Sequence, residues 1–109
     1  MPIVYTDPFI VGSTIICSIS IYQNGLLYDP STSVTISIID PTGTPVVSNQ
    51  VMIRDSVGVY HYNFQTTGII VFGVYTVIYT ATDGSMVSIQ NDNFKLLNVN
   101  SFIGSNINL

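Results

Sequence analysis

The sequence predicts an all-β chain, and three observations carry that prediction. Strong helix formers are nearly missing: Glu is absent, Ala occurs only at Ala81, and Lys only at Lys95. Ile, Val, Thr, Tyr and Phe take their place, and these residues suit a pleated, half-buried surface. Apolar residues also alternate with polar ones in short runs, separated by turn signals every eight to twelve residues, which indicates a sandwich or barrel. At 109 residues the chain is one domain. It is long enough to bury about two-thirds of its unfolded surface without disulfides or metal.

The aspartates act as punctuation. Asp7-Pro8, Asp29-Pro30 and Asp40-Pro41 use three of the five prolines, and Asp55-Ser56, Asp83-Gly84 and Asp92-Asn93 complete the set. Asp accepts hydrogen bonds from nearby backbone N–H groups, and Pro pre-sets φ for a turn. Asp40-Pro41-Thr42-Gly43 suits a type I turn. Asn24-Gly25 is the strongest hairpin signal in the chain. Thr66-Thr67-Gly68 marks a further turn.

Strands fall between these marks. Residues 3–6 and 9–11 make a first strand broken at Asp7-Pro8. Residues 14–22 alternate, with Ile15, Cys17, Ile19 and Ile21 on one face. Residues 33–39 place Val34, Ile36 and Ile38 inward. Two shorter runs follow at 46–47 and 51–54. Residues 57–64 put Tyr60, Tyr62 and Phe64 together, opposite Val59, His61 and Asn63. Residues 74–82 put Tyr75, Val77, Tyr79 and Ala81 together, and residues 86–90 and 94–99 close the set, with a turn at Asn91-Asp92-Asn93. Residues 1–99 form the domain. Residues 100–109 stand apart as a tail or arm, polar but carrying Phe102, Ile103, Ile107 and Leu109.

From Gly73-Val74-Tyr75 to Asp83-Gly84 the chain resembles the penultimate strand of an immunoglobulin-like domain. In that family a Gly-x-Tyr opening supplies a tyrosine whose hydroxyl bonds back to the chain just upstream. Tyr75 matches it. Val77 stands where antibody domains carry the second inter-sheet cysteine, and Cys17 or Ile19 falls near the first. The similarity is therefore to disulfide-free immunoglobulin-like modules of bacteria and their phages. Asp40-Pro41-Thr42-Gly43-Thr44-Pro45-Val46 and Gly58-Val59-Tyr60-His61-Tyr62-Asn63-Phe64 are similar to turn and strand motifs of those modules. The resemblance spans about residues 13 to 99. It implies a two-sheet antiparallel sandwich of seven to nine strands, and it brings no catalytic residue with it. Such modules occur in accessory proteins of phage heads and tails and in bacterial surface proteins.

The residues offer little for catalysis. His61 is the only histidine, and no G-x-S-x-G elbow is present. A histidine metal site lacks partners, and no D-x-[DN]-x-[DN]-G loop occurs; Asp92 between Asn91 and Asn93 reads as a turn. Cys17 lies on an apolar strand face without a basic neighbour, so it reads as structural. A lone cysteine makes no internal disulfide. No cofactor is implied, and the expectation is a non-enzymatic protein. Tyr5, Tyr22 and Tyr28 are the tyrosines left over from the core parity.

Charge narrows the partners. Six Asp against one Lys and one Arg give a net charge of −4, too few cations for a nucleic-acid face or a polybasic membrane anchor. The longest apolar run, residues 69–79, is broken by Gly73 and Thr76 and is short of the ~20 residues of a membrane helix. The start has no basic segment and an early acid, so it does not read as a secretory signal. Only 7% of residues are charged, against about 25% in an ordinary soluble domain. Ile16, Ile39 and Ile78 fall on outward faces, and exposed apolar surface marks an interface.

These observations, with the resemblance, set the functional expectation: a capsid decoration or cement subunit of a tailed phage, located in the virion. Its partners would be the major capsid protein or other virion subunits, with self-association into an oligomer. Phe102, Ile103, Ile107, Leu109, Ile3 and Tyr5 are the candidate partner contacts, and Tyr75, Val77 and Cys17 the structural residues. The alternative is a secreted or cell-surface adhesion module that binds carbohydrate or protein.

Overall fold

The computed structural model describes residues 8–98. Ile3 and Tyr5, and the arm residues Phe102, Ile103, Ile107 and Leu109, lie outside the described residues. Ten strands follow in order: β1 (Phe9–Ile10), β2 (Thr14–Ser20), β3 (Tyr22–Gln23), β4 (Leu26–Leu27), β5 (Ser33–Ile39), β6 (Pro45–Val51), β7 (Ile53–Ser56), β8 (Val59–Gln65), β9 (Gly73–Asp83) and β10 (Met86–Leu97). No helix occurs among the described residues, as the composition requires.

The strands form three sheets. One has the order β1-β10-β9-β5-β6, the second β2-β8-β7, and the third is the small hairpin β3-β4. The five-stranded sheet curls as a half-barrel. All pairings are antiparallel except β1 on β10, which is parallel, with Phe9 opposite Leu96. In place of about seven to nine strands in a two-sheet antiparallel sandwich there are ten in three sheets, with one short parallel pair. The β3-β4 hairpin pairs only with itself, and β1 joins β10 by two residues in the parallel sense.

One core joins the two larger sheets. Ile15 and Cys17 of β2 and Tyr60 and Phe64 of β8 meet Val34, Ile36 and Ile38 of β5, Tyr75, Val77 and Tyr79 of β9, and Phe94 and Leu96 of β10. Ile36, Ile38 and Leu96 are wholly enclosed. The inward residues are those expected from period-two alternation, with two adjustments. Tyr62, Ile19 and Ile21 pack against the core while staying partly exposed. Of the three outward isoleucines, Ile16 is exposed, whereas Ile39 and Ile78 are half-buried.

Turn chemistry holds the connections. Asn24 and Gly25 both have positive φ, 53° and 79°, as a type I′ hairpin demands. At Asp40 the backbone carbonyl accepts from Gly43 N at 2.9 Å, while the carboxylate accepts from Thr42 N and Thr44 N, each at 2.9 Å. These bonds, with the Thr42 hydroxyl first among them, hold the Asp40 carboxyl below the usual carboxylate range. Thr66, buried at the end of β8, accepts from Gly12 N at 2.8 Å and donates to Ser13 O at 2.6 Å.

Three elements differ from the sequence expectation. Residues 46–47 belong to a longer strand, β6, whose register shifts around Asn49, a left-handed residue at φ 46°. The chain then changes sheet at Met52, whose side chain is buried and whose N–H donates to Val34 O at 3.0 Å. Asn91-Asp92-Asn93 is no turn: β10 runs unbroken through it, pairing residue by residue with β9 from Asp83 to Gly73. An eleven-residue ladder to β9 pairs one side of the strand throughout, and that outweighs the local preference of Asp and Asn for turns.

Candidate functional site

The structural residues named from the sequence are buried at the centre of the molecule. Tyr75 stacks on Phe94 with ring centroids 5.1 Å apart and planes 7° apart, and Phe64 tilts against both. Its hydroxyl donates to the Val71 carbonyl at 2.7 Å, four residues upstream, in the sense of a tyrosine corner. Val77, two residues on, is 2% exposed. Cys17 is free and buried; burial, and then the Asp92 charge, push its thiol up to about 11. A thiol so held is protonated at neutral pH and unreactive.

The concave site lies elsewhere. The three-stranded sheet is narrower than the five-stranded one and leaves the first eight residues of β10 uncovered. Phe94 and Leu96 point into the core, so residues of the same parity, Asp92, Gln90, Ser88 and Met86, also face inward. Opposite them in register stand Val77, Tyr79, Ala81 and Asp83 of β9. Among the described residues no layer closes over this strip, and a groove of about 350 Å³ results. Buried Tyr79 and Val34 lie beneath it, and Ala81, Ile19, Ile21 and Gln90 also line it. Tyr22 and Gln23 stand at the rim. A shallower continuation runs past Ser18, Asn91 and Asp92.

Two aspartates hold the chain near the groove, and Asp83 lines it. Asp83, the last residue of β9, accepts from the Tyr28 hydroxyl at 2.9 Å and from Ser31 N at 2.7 Å. The Ser31 bonds chiefly hold the Asp83 carboxyl below its ordinary range. Tyr28, left over from the core parity, is thus tied down, while Tyr22 is exposed. Asp29 accepts from Gly58 N at 2.8 Å, from the Tyr60 hydroxyl at 2.9 Å and from Arg54 Nε at 3.1 Å, with Arg54 Nη2 at 3.0 Å. The Arg54 guanidinium first, and then the Gly58 N–H, hold its carboxyl down to about 2. One carboxylate therefore joins the β4–β5 connection to β7 and β8. Nothing at Asp29-Pro30 beyond a turn signal announces this clamp in the sequence.

His61 lies on the outer face of the three-stranded sheet. Its Nδ1 is 2.7 Å from Asp55 Oδ1 and 2.9 Å from Oδ2, linking β8 to β7. Ser18 is its register neighbour on β2. Among the described residues no three His, Cys, Asp or Glu side chains gather to hold a metal ion. Asp92 accepts from Asn93 N at 2.8 Å within the strand. No helix among the described residues is long and apolar enough to cross a membrane.

The groove has a sequence signature once β10 is read as one strand. Running the parity of Phe94 and Leu96 backwards places the uncharged polar residues Gln90 and Ser88, with Asp92, at inward positions. Polar residues on an inward face mark a place where the second layer ends. Breaking the strand at Asp92 hides that signal.

No family model, curated protein or solved structure matches this chain.

Proposed function

We propose that this chain is an immunoglobulin-like sandwich acting as a non-enzymatic structural subunit, a capsid decoration subunit of a tailed phage that binds the major capsid protein on the outer capsid surface. Strand order supports the sandwich reading. The run β10-β9-β5-β6 corresponds to strands G, F, C and C′ of the immunoglobulin plan, and β2-β8-β7 to B, E and D. The Tyr75 hydrogen bond falls on the F-equivalent strand, where that plan has its tyrosine corner.

The assembly reading is carried by one observation: large apolar side chains stand exposed over several faces of a nearly uncharged surface. Ile16 and Ile53 lie on the outer face of the three-stranded sheet, and Val51, Ile70, Val87 and Ile89 lie elsewhere, all more than half exposed. A chain with so few charges gains most from burying such surface against other subunits. Each copy needs only modest affinity where neighbours raise the effective concentration.

Sedimentation of the native protein from its source tests the proposal. The expected outcome is co-sedimentation with megadalton particles, resistant to moderate salt because apolar contacts are little screened. A small soluble species, or fractionation with the cell envelope, overturns it. The groove favours a second reading, an adhesion module. An exposed tyrosine beside Gln23 and Gln90 over an apolar floor suits an uncharged ligand such as a glycan. A glycan screen on wild type and Tyr22→Ala decides that reading.

A further inference from the structure

The edges of the two larger sheets are defended unequally. The β6 edge opens on Pro45 and carries a register shift with left-handed Asn49. The β7 edge is four residues long, bears Arg54 and Asp55, and is also bulged. Pro, charge, bulges and short length are the devices that keep a strand edge from pairing with another chain. The β10 edge is long, without Pro and without a bulge, and carries only charge among these devices. Its register with β9 is continuous from Met86 to Leu96. On its other side β10 meets only β1, at Leu96 and Leu97. The ten residues 86–95 thus have no strand partner beyond β9 among the described residues. They hold no Pro, and their only charges are Asp92 and Lys95. Met86, Val87 and Ile89 are exposed on the two faces of this stretch.

We infer that the β10 edge pairs antiparallel with the β10 edge of a second copy, joining two five-stranded sheets into one. The inference deepens the assembly reading and rests on it for the role of the dimer. A two-fold axis perpendicular to the sheet keeps each parity on its own face, so odd residues meet odd and even meet even. The free stretch is then centred on Gln90 or on Asn91. Charge selects between them. Centred on Asn91, the two Asp92 carboxylates lie two residues apart along the ladder, about 7 Å. Centred on Gln90, Asp92 faces Ser88 of the second copy and the carboxylates lie four residues apart, about 13 Å, beyond the screening length of about 8 Å at physiological salt. The Gln90 register also sets Met86 opposite Phe94 and leaves Lys95 and the β1 junction clear. A negatively charged chain can thus pair with itself here without opposing like charges.

The test is sedimentation velocity of the full chain from about 1 to 100 µM, with two variants at exposed Gln90 and their thermal midpoints as folding controls. A concentration-dependent dimer is expected. Gln90→Lys sets like charges face to face and is expected to weaken the dimer about fivefold. Gln90→Cys places two thiols across the axis within disulfide reach, because Cα atoms of directly opposed residues lie about 4.5–5.5 Å apart. It is expected to form a covalent dimer in oxidising buffer, while Gln50→Cys on β6 does not. A chain that stays monomeric over the whole range overturns the inference, as does a dimer that ignores Gln90→Lys and fails to cross-link through Gln90→Cys. A monomer that still sediments with particles defeats the inference alone and leaves the assembly reading standing.

Discussion

Tyr75 shows how much one side chain contributes at the centre of this molecule. Its ring is 1% exposed and its hydroxyl spends its proton on the Val71 carbonyl. Tyr75→Phe keeps the stack on Phe94 and removes only that bond, so a loss of about 1 kcal/mol is expected in urea unfolding. An unchanged midpoint would assign the tyrosine to packing alone. Gly58 is a stricter position. Its φ is +72°, and an added Cβ would sit 2.7 Å from both Ile21 O and Tyr28 N. These two atoms are the partners of the Tyr28 N to Ile21 O hydrogen bond of 2.9 Å, so neither yields without straining it. Gly58→Ala is therefore expected to cost about 2 kcal/mol or more. Gly84→Ala, where a Cβ meets nothing within 4 Å, should cost clearly less in the same measurement.

At the scale of elements, Asp29 ties three of them through four donor atoms. Its carboxyl is held at about 2 in the folded chain, against 3.8 ordinarily. A depressed folded pKa means the unfolded chain binds the proton more readily. The stabilisation is therefore complete above about pH 4 and is lost as pH falls through about 2. Asp40 and Asp83 are lowered as well and act in the same direction. Unfolding midpoints measured at about pH 5 and pH 2 should fall for wild type and fall less for Asp29→Asn, which has no carboxyl there to protonate. Equal falls would show that the clamp is not set by charge. The same scale explains the groove: β10 is longer than the layer meant to cover it, so its inner face is dry at Phe94 and open at Gln90.

For the whole molecule, assembly has two separable parts, the edge of β10 and the tail at residues 100–109. The tail lies outside the described residues, so its part follows from sequence: Phe102, Ile103, Ile107 and Leu109 are single apolar residues in a polar stretch. Deleting residues 100–109 is expected to abolish particle binding and leave the melting transition nearly unchanged. Undiminished co-sedimentation of the truncated chain would remove the arm from the proposal.

What the sequence determined by itself was the local alphabet. Alternation placed Val34, Ile36, Ile38, Tyr75, Val77 and Tyr79 inward because side-chain direction in a strand is set by parity alone. Asn24-Gly25 and Asp40-Pro41 announced their turns because those residues carry the required φ or the required acceptor within a few bonds. The tertiary structure alone decided the rest, because it depends on lengths and partners far apart in the chain. The continuous β9 ladder turned Asn91-Asp92-Asn93 from a turn into mid-strand. Asp29 became a clamp only when Arg54, Gly58 and Tyr60, between 25 and 31 residues away, converged on it. The groove exists because one sheet ends before the other, and among the described residues the β10 edge is bare because β1 pairs with it only at Leu96 and Leu97; no short stretch of sequence records either.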